Sequence, residues 1–216
     1  DNSIGNGGPT IVGETTYELT VSNAPPLGYA QFSVNGTDIT SEIAAGRLGG
    51  FLQVRDVNIP DYMNRLDAVA YAVATEVNTV HQAGYDQTGA LAGSFFTPPA
   101  TVAGAPAGLT VRPALAADRR LISAGATAEA GNNDTARAIA DLRQALVMDG
   151  NTATLTEGWG QLVYRVGRDT KSGIDERNSR QEIVRQVDAL RDAVSGISLD
   201  EEAMNLLKFQ RPYEAN

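Results

Sequence analysis

Thr154-Leu-Thr-Glu-Gly-Trp-Gly-Gln-Leu-Val-Tyr-Arg-Val166 opens the stretch that decides the fold. Thr154 followed three residues later by Glu157 is a capping box, in which each side chain satisfies a backbone N–H of the other at a helix start. Steps of 3 and 4 from Trp159 land on Leu162, Val166, Asp169, Gly173, Glu176, Arg180, Ile183, Val187, Leu190, Val194 and Ile197 without a slip. The ends of this register are apolar and its middle is polar. A single long helix with a solvated or subunit-contacting centre explains the shared register; two helices broken near Gly173 are the alternative. At 1.5 Å per residue the single helix would be on the order of 60 Å long.

Upstream, residues 59–83 form a second clear helix, with Pro60 suited to its first turn and Gly84 to its stop. Ile59, Met63, Leu66, Ala70, Val73, Val77 and Val80 make a heptad stripe. The stripe fits a coiled coil and the core helix of an ordinary bundle equally well. Residues 1–58 are rich in Gly, Thr, Ser, Asn and Pro, with alternating runs at Tyr17–Val21 and Gln31–Val34 and a turn at Val34-Asn-Gly-Thr37. A small β element is expected there. Residues 84–133 read as an irregular insertion, with Leu109–Val111 as a possible strand, and a helix capped by Asp134 is expected from Thr135 to about Val147.

The fold class expected is therefore mainly α with a smaller β-rich part: long helices in a rod-like coiled-coil bundle with irregular β and loop insertions. The expected division is a β-rich segment at 1–58, a helical rod domain at 59–197 with its insertion at 84–133, and a terminal helix at 198–216. The opening Asp1-Asn-Ser-Ile-Gly-Asn-Gly-Gly8 does not resemble a native start and suggests a fragment.

The chain carries a formal charge of -9, which repels nucleic acid and anionic lipid. Neither nucleic acid nor membrane is expected as a partner, and no apolar run approaches the length of a membrane span. Cysteine is absent, so disulfides, thiolate metal sites and cysteine nucleophiles are excluded. His81 is the single histidine, and in the last turn of a helix a structural role suits it better than catalysis or metal binding. Gly167-Arg-Asp-Thr-Lys-Ser172 lacks the glycine before lysine that a phosphate loop needs, and Asp86–Gly93 lacks the recurring acidic ligands of a calcium loop. No enzyme, cofactor or metal is expected.

The last residues describe an amphipathic helix. Ser198 and Glu201 form another capping box, and Leu199, Ala203, Leu206, Leu207, Phe209 and Tyr213 make an apolar face. A short isolated helix is marginal in water, so this one needs a partner. Pro212 would remove a hydrogen bond and kink or end the helix before Tyr213 at a cost of about 3 kcal/mol.

Ser195-Gly-Ile-Ser-Leu-Asp-Glu-Glu-Ala-x-Asn-Leu-x-Lys-Phe-Gln-x-x-Tyr-x-Ala215 resembles the C-terminal signature of bacterial flagellar axial proteins, nearest to those of the hook–filament junction. Gly46-Arg-Leu-Gly-Gly-Phe-Leu-x-x-Arg-Asp56, Ile59-Pro60, the Leu66-Asp67 helix, Val77-Asn-x-x-His81, Gly84-Tyr-Asp-x-x-Gly89, Phe95-Phe96 and Gly131-Asn-Asn-Asp-x-Ala136 resemble the C-terminal half of the hook-associated branch of that family. Pro212 departs from it, since the family usually has a helix-compatible residue there.

The resemblance implies a structural, self-assembling, extracellular component of the flagellum, exported without a cleaved signal peptide, that joins hook to filament through terminal coiled coils. It implies further copies of itself, the hook protein and hook-associated protein 3 as partners, and an export chaperone at the C-terminal helix. The assembly interface would then comprise Leu190, Val194, Ile197, Leu199, Ala203, Leu206, Phe209, Gln210 and Tyr213, with Gln210 as a polar register residue. Flagellin or hook-associated protein 3 is the rival within the family, and a monomeric coiled-coil adhesin or binding module the rival outside it.

Overall fold

The computed structural model describes residues 10–12, 15–24, 28–195, 204 and 206–208. The chain divides into two compact units, Asp1–Leu162 and Val163–Asn216. It is mainly helical with a small antiparallel β part, as the sequence led us to expect.

The first unit opens with β1 (Thr10–Val12) antiparallel to β2 (Thr15–Tyr17). A three-stranded sheet follows in the order β3 (Leu19–Ala24), β4 (Tyr29–Val34), β5 (Thr37–Asp38). Leu19 stands opposite Val34 and Val21 opposite Phe32, so the apolar pairs share one face, while Thr20 and Ser33 share the other. Asn35 and Gly36 both take positive φ, at 50° and 79°, which is the type I′ geometry an Asn-Gly hairpin selects.

The helix expected from residue 59 begins earlier. Helix α1 (Gly46–Gln53) passes through a π turn (Val54–Asn58) into α2 (Ile59–Gln82), with helical dihedrals at both junctions. Pro60 marks a repair within a longer helix and not its start. Proline in an α-helix clashes with the carbonyl four residues back, and the extra residue of a π turn relieves that register. The Ile59 N–H accordingly reaches back to the Val54 carbonyl. The glycines of 46–50 hid α1 from the sequence reading. Gly46 sits at φ 72°, and a Cβ on Gly49 would lie 2.6 Å from the Ala44 carbonyl carbon, so these are contact and turn positions.

Around α2 pack α3 (Ala105–Gly108), α5 (Asp134–Asp141) and β6 (Leu146–Met148), while α4 (Pro113–Ala117) lies in the same insertion. The core is built from small and medium residues, among them Leu52, Ala74, Ala105, Leu115, Leu142 and Met148. Residues 95–97 and 110–112 form a short antiparallel bridge, which is what becomes of the possible strand at Leu109–Val111.

The helix expected to run to Val147 stops at Asp141, and Asp134 is its first residue instead of its cap. Leu146–Met148 pairs with β7 (Ala153–Thr154) in a hairpin whose Asp149, Gly150 and Asn151 all take positive φ. The Asp-Gly pair that reads as a helix stop is here a hairpin signal.

Helix α6 (Leu155–Ser195) is one uninterrupted helix of 41 residues, so the alternative of a break near Gly173 does not hold. Its start is the capping box: the Glu157 N–H donates to Thr154 Oγ1 at 3.2 Å, and the Thr154 N–H donates to Glu157 Oε2 at 2.8 Å.

Candidate assembly interface and its buttress

The C-terminal half of α2 does not bury the heptad stripe. The buried line leaves the stripe at Ala70 and continues through Ala74, Asn78 and His81, one position beyond Val73, Val77 and Val80, which are half-buried, while Ile59, Met63 and Leu66 at the other end are exposed. Two of the buried residues are polar because the insertion they face is irregular backbone whose groups need partners.

His81 is fully buried, at 0% exposure. Its Nε2 accepts from the Ser123 N–H at 3.0 Å, which leaves Nδ1 to donate to the Gly93 carbonyl at 2.7 Å. One turn earlier, Asn78 Oδ1 accepts from both the Phe95 and Phe96 N–H groups at 2.8 Å, and Nδ2 donates to the Phe96 carbonyl at 3.1 Å. Phe95 meets the His81 ring edge to face at 5.4 Å, and Phe96 meets Phe95 in the same way at 4.9 Å. His81 is thus a structural clamp, as expected, while the part played by Asn78 was missed. A polar Asn78 flanked by Ala74 and Val77 on a helix was the available signal.

The same region is closed by Gly84, where a Cβ would run into the Ser123 and Thr135 hydroxyls and come within 2.8 Å of the Gly125 carbonyl. Asp86 accepts from the Thr88 hydroxyl at 2.6 Å and from the Thr88 and Ala90 N–H groups, which together hold its carboxyl below the usual carboxylate range. Asp118 is lowered in the same direction, chiefly by the Arg120 guanidinium. Glu157 is lowered by the Thr154 N–H and hydroxyl of the capping box. These carboxylates each serve a local turn or cap. Among the described residues no group of three or more His, Asp or Glu side chains could hold a metal ion, and no helix is long and apolar enough to cross a membrane.

The helices leave several apolar side chains outside. Phe51, Val54, Val57, Ile59, Met63 and Leu66 are exposed along α1, the π turn and α2. In α6 every side chain from 171 to 193 is exposed, and Ile183, Val187 and Leu190 lie at steps of 4 and 3 in that stretch. The polar positions of α6 are stitched along the helix by Arg165–Asp169, Lys171–Asp175, Glu176–Arg180 and Glu182–Arg185 pairs. The last three of these pairs are exposed and add only about 0.3–0.5 kcal/mol each, so the helix gains little from them beyond solubility.

Of the residues expected at an assembly interface, Leu190 lies 67% exposed in α6, and Val194 belongs to the last turn of that helix. Leu206 is helical and 66% exposed, beside Met204 and Leu207, which are exposed as well. Ile197, Leu199, Ala203, Phe209, Gln210 and Tyr213 lie outside the described residues, as does Pro212.

A family model described as the flagellar hook-associated protein FlgK helical domain matches residues 3–96. Flagellar hook-associated protein 1 of Escherichia coli (strain K12) is 24% identical over 302 residues, which cover 99% of this chain and 55% of that protein. The protein of the same name from Bacillus subtilis (strain 168) is 27% identical over 169 residues, covering 72% of this chain and 32% of the relative. That of Salmonella typhimurium is 33% identical over 85 residues, covering 39% of this chain and 15% of its own length. The chain spans about half or less of the length of these relatives. An aligned length of 302 against a chain of 216 also means that the Escherichia coli protein carries at least 86 positions with no counterpart here. The chain is thus similar, over nearly all of its length, to flagellar hook-associated protein 1, which bears out the resemblance read in its sequence.

Proposed function

We propose that this chain is part of a structural subunit of the bacterial flagellum that joins hook to filament. The supporting observation is the exposed Ile183, Val187 and Leu190 line on a 41-residue helix, in a chain similar to flagellar hook-associated protein 1. Apolar side chains at that spacing on an otherwise charged helix suit knobs-into-holes packing against another helix. Head-to-tail contacts that do not close on themselves generate helical tubes. The relatives described above share the name of the hook-associated protein and not of a filament protein, which supports the junction over the filament.

In this reading the subunit is extracellular, leaves the cell without a cleaved signal peptide and has no enzymatic role. Its partners are further copies of itself, the hook protein and hook-associated protein 3, with an export chaperone on the C-terminal helix before assembly. Leu190, Val194, Ile197, Leu199, Ala203, Leu206, Phe209, Gln210 and Tyr213 form the subunit contacts. The test is complementation of a strain lacking the full-length protein. The unaltered protein should restore attached filaments, and a Val187→Ser/Leu190→Ser variant that is still exported should leave hooks without filaments. Full motility with that variant would overturn the assignment of the surface.

A further inference from the structure

Arg55 is the side chain that crosses from the helical run to the sheet, and it does so from the π turn. Its Nη1 donates to the Ala30 carbonyl of β4 at 2.8 Å, and its guanidinium lies 5.1 Å from the centre of the Tyr29 ring. Nε and Nη2 are both taken by the neighbouring Asp56 carboxylate, at 2.6 and 2.8 Å. Asp56 therefore occupies one edge of the guanidinium fork and leaves the other aimed at β4. The second link is the short connection at 39–45, where the Ile39 N–H donates to the Phe32 carbonyl and the Phe32 N–H to Thr40 Oγ1.

The backbone under Arg55 is the least regular part of the 46–82 run. Pro60 has no N–H to give, and the π turn has already exchanged an α-helical bond for the longer Ile59-to-Val54 one. Helices bend at such places more readily than along a regular ladder. An irregular turn of backbone, a proline and a polar latch thus coincide within seven residues.

We propose that the Val54–Asn58 π turn, latched by Arg55 onto β4, is an articulation that sets the angle of the β3–β5 sheet on the helical run and lets it change when the latch opens. The latched state is the one described here. Opening breaks the contacts of Arg55 with Ala30 and Tyr29 and needs no loss of the sheet's own strand pairing.

The chain has no cysteine, so nitroxide labels on Ser22→Cys in β3 and Asn64→Cys in α2 report this angle as a distance distribution by pulsed electron resonance. With Arg55 present a single narrow distance is expected. Arg55→Ala should broaden it measurably, because hinges absorb their motion in a few backbone dihedrals, with helix content by circular dichroism unchanged, and Arg55→Lys should fall between. If Arg55→Ala fails to fold, Tyr29→Leu and Asp56→Ala each remove one support of the latch and should broaden the distribution in its place. An unchanged width in folded Arg55→Ala, or in both substitute variants, overturns the proposal.

Discussion

His81 Nε2 accepts a hydrogen bond from the Ser123 backbone N–H at 3.0 Å, across 42 positions of sequence and with no solvent access to the ring. This bond and its partner at Gly93 fasten both ends of the irregular insertion to α2. His81→Leu leaves the Ser123 N–H and the Gly93 carbonyl buried without partners, so we expect a loss of about 2–5 kcal/mol in urea unfolding. A loss under about 0.5 kcal/mol would show that the clamp contributes little, since that is the scatter of neutral surface changes.

Asn78 separates acceptor from donor. Asn78→Asp keeps an oxygen for the Phe95 and Phe96 N–H groups but turns an amide donor into an acceptor facing the Phe96 carbonyl. Asn78→Ala removes all three bonds. Both should destabilise, by about 1–3 kcal/mol for each buried group left unpaired. Hydrogen exchange at the Phe95 and Phe96 amides should accelerate in Asn78→Ala and stay slower in Asn78→Asp.

Two glycines predict opposite signs. Gly84→Ala forces a methyl into the Ser123 and Thr135 hydroxyls and should cost about 1–3 kcal/mol as overpacking. Gly50→Ala in α1 meets nothing within 4 Å and should stabilise by about 0.5–1 kcal/mol. Thermal melts of the two variants check both; equal shifts would contradict the packing at Gly84.

Asp86 and Asp118 have carboxyls lowered in the folded state relative to the unfolded chain. The stability they give is present above the ordinary carboxylate value of 3.8 and is lost as pH falls through their lower folded values. The melting temperature should therefore drop on acidification below that value. Asp86→Asn, which retains an acceptor oxygen but not the charge, should lower stability at neutral pH and flatten the acid side of the profile.

The long C-terminal helix was legible because its register runs from Trp159 to Ile197 and a capping box sets its start. Local signals alone define such an element. The β3–β5 sheet was legible for the same reason, through alternation and the Asn35-Gly36 turn. Helix α1 was not, since glycines at 46, 49 and 50 signal a loop until the contact at Ala44 is known. The buried line of α2 was also hidden: Asn78 and His81 point inward because loop backbone from 93–96 and 123 requires hydrogen bonds, and no helical periodicity encodes a distant loop's needs. Where Ile183, Val187 and Leu190 find their partner is set by other chains, so neither the sequence nor a single chain's fold displays it.

The most direct measurement is immunogold electron microscopy of isolated hook–filaments with an antibody raised against this chain. Label is expected only in a narrow band where hook meets filament. Label distributed along the filament, or on the cell surface with none at the junction, would contradict it.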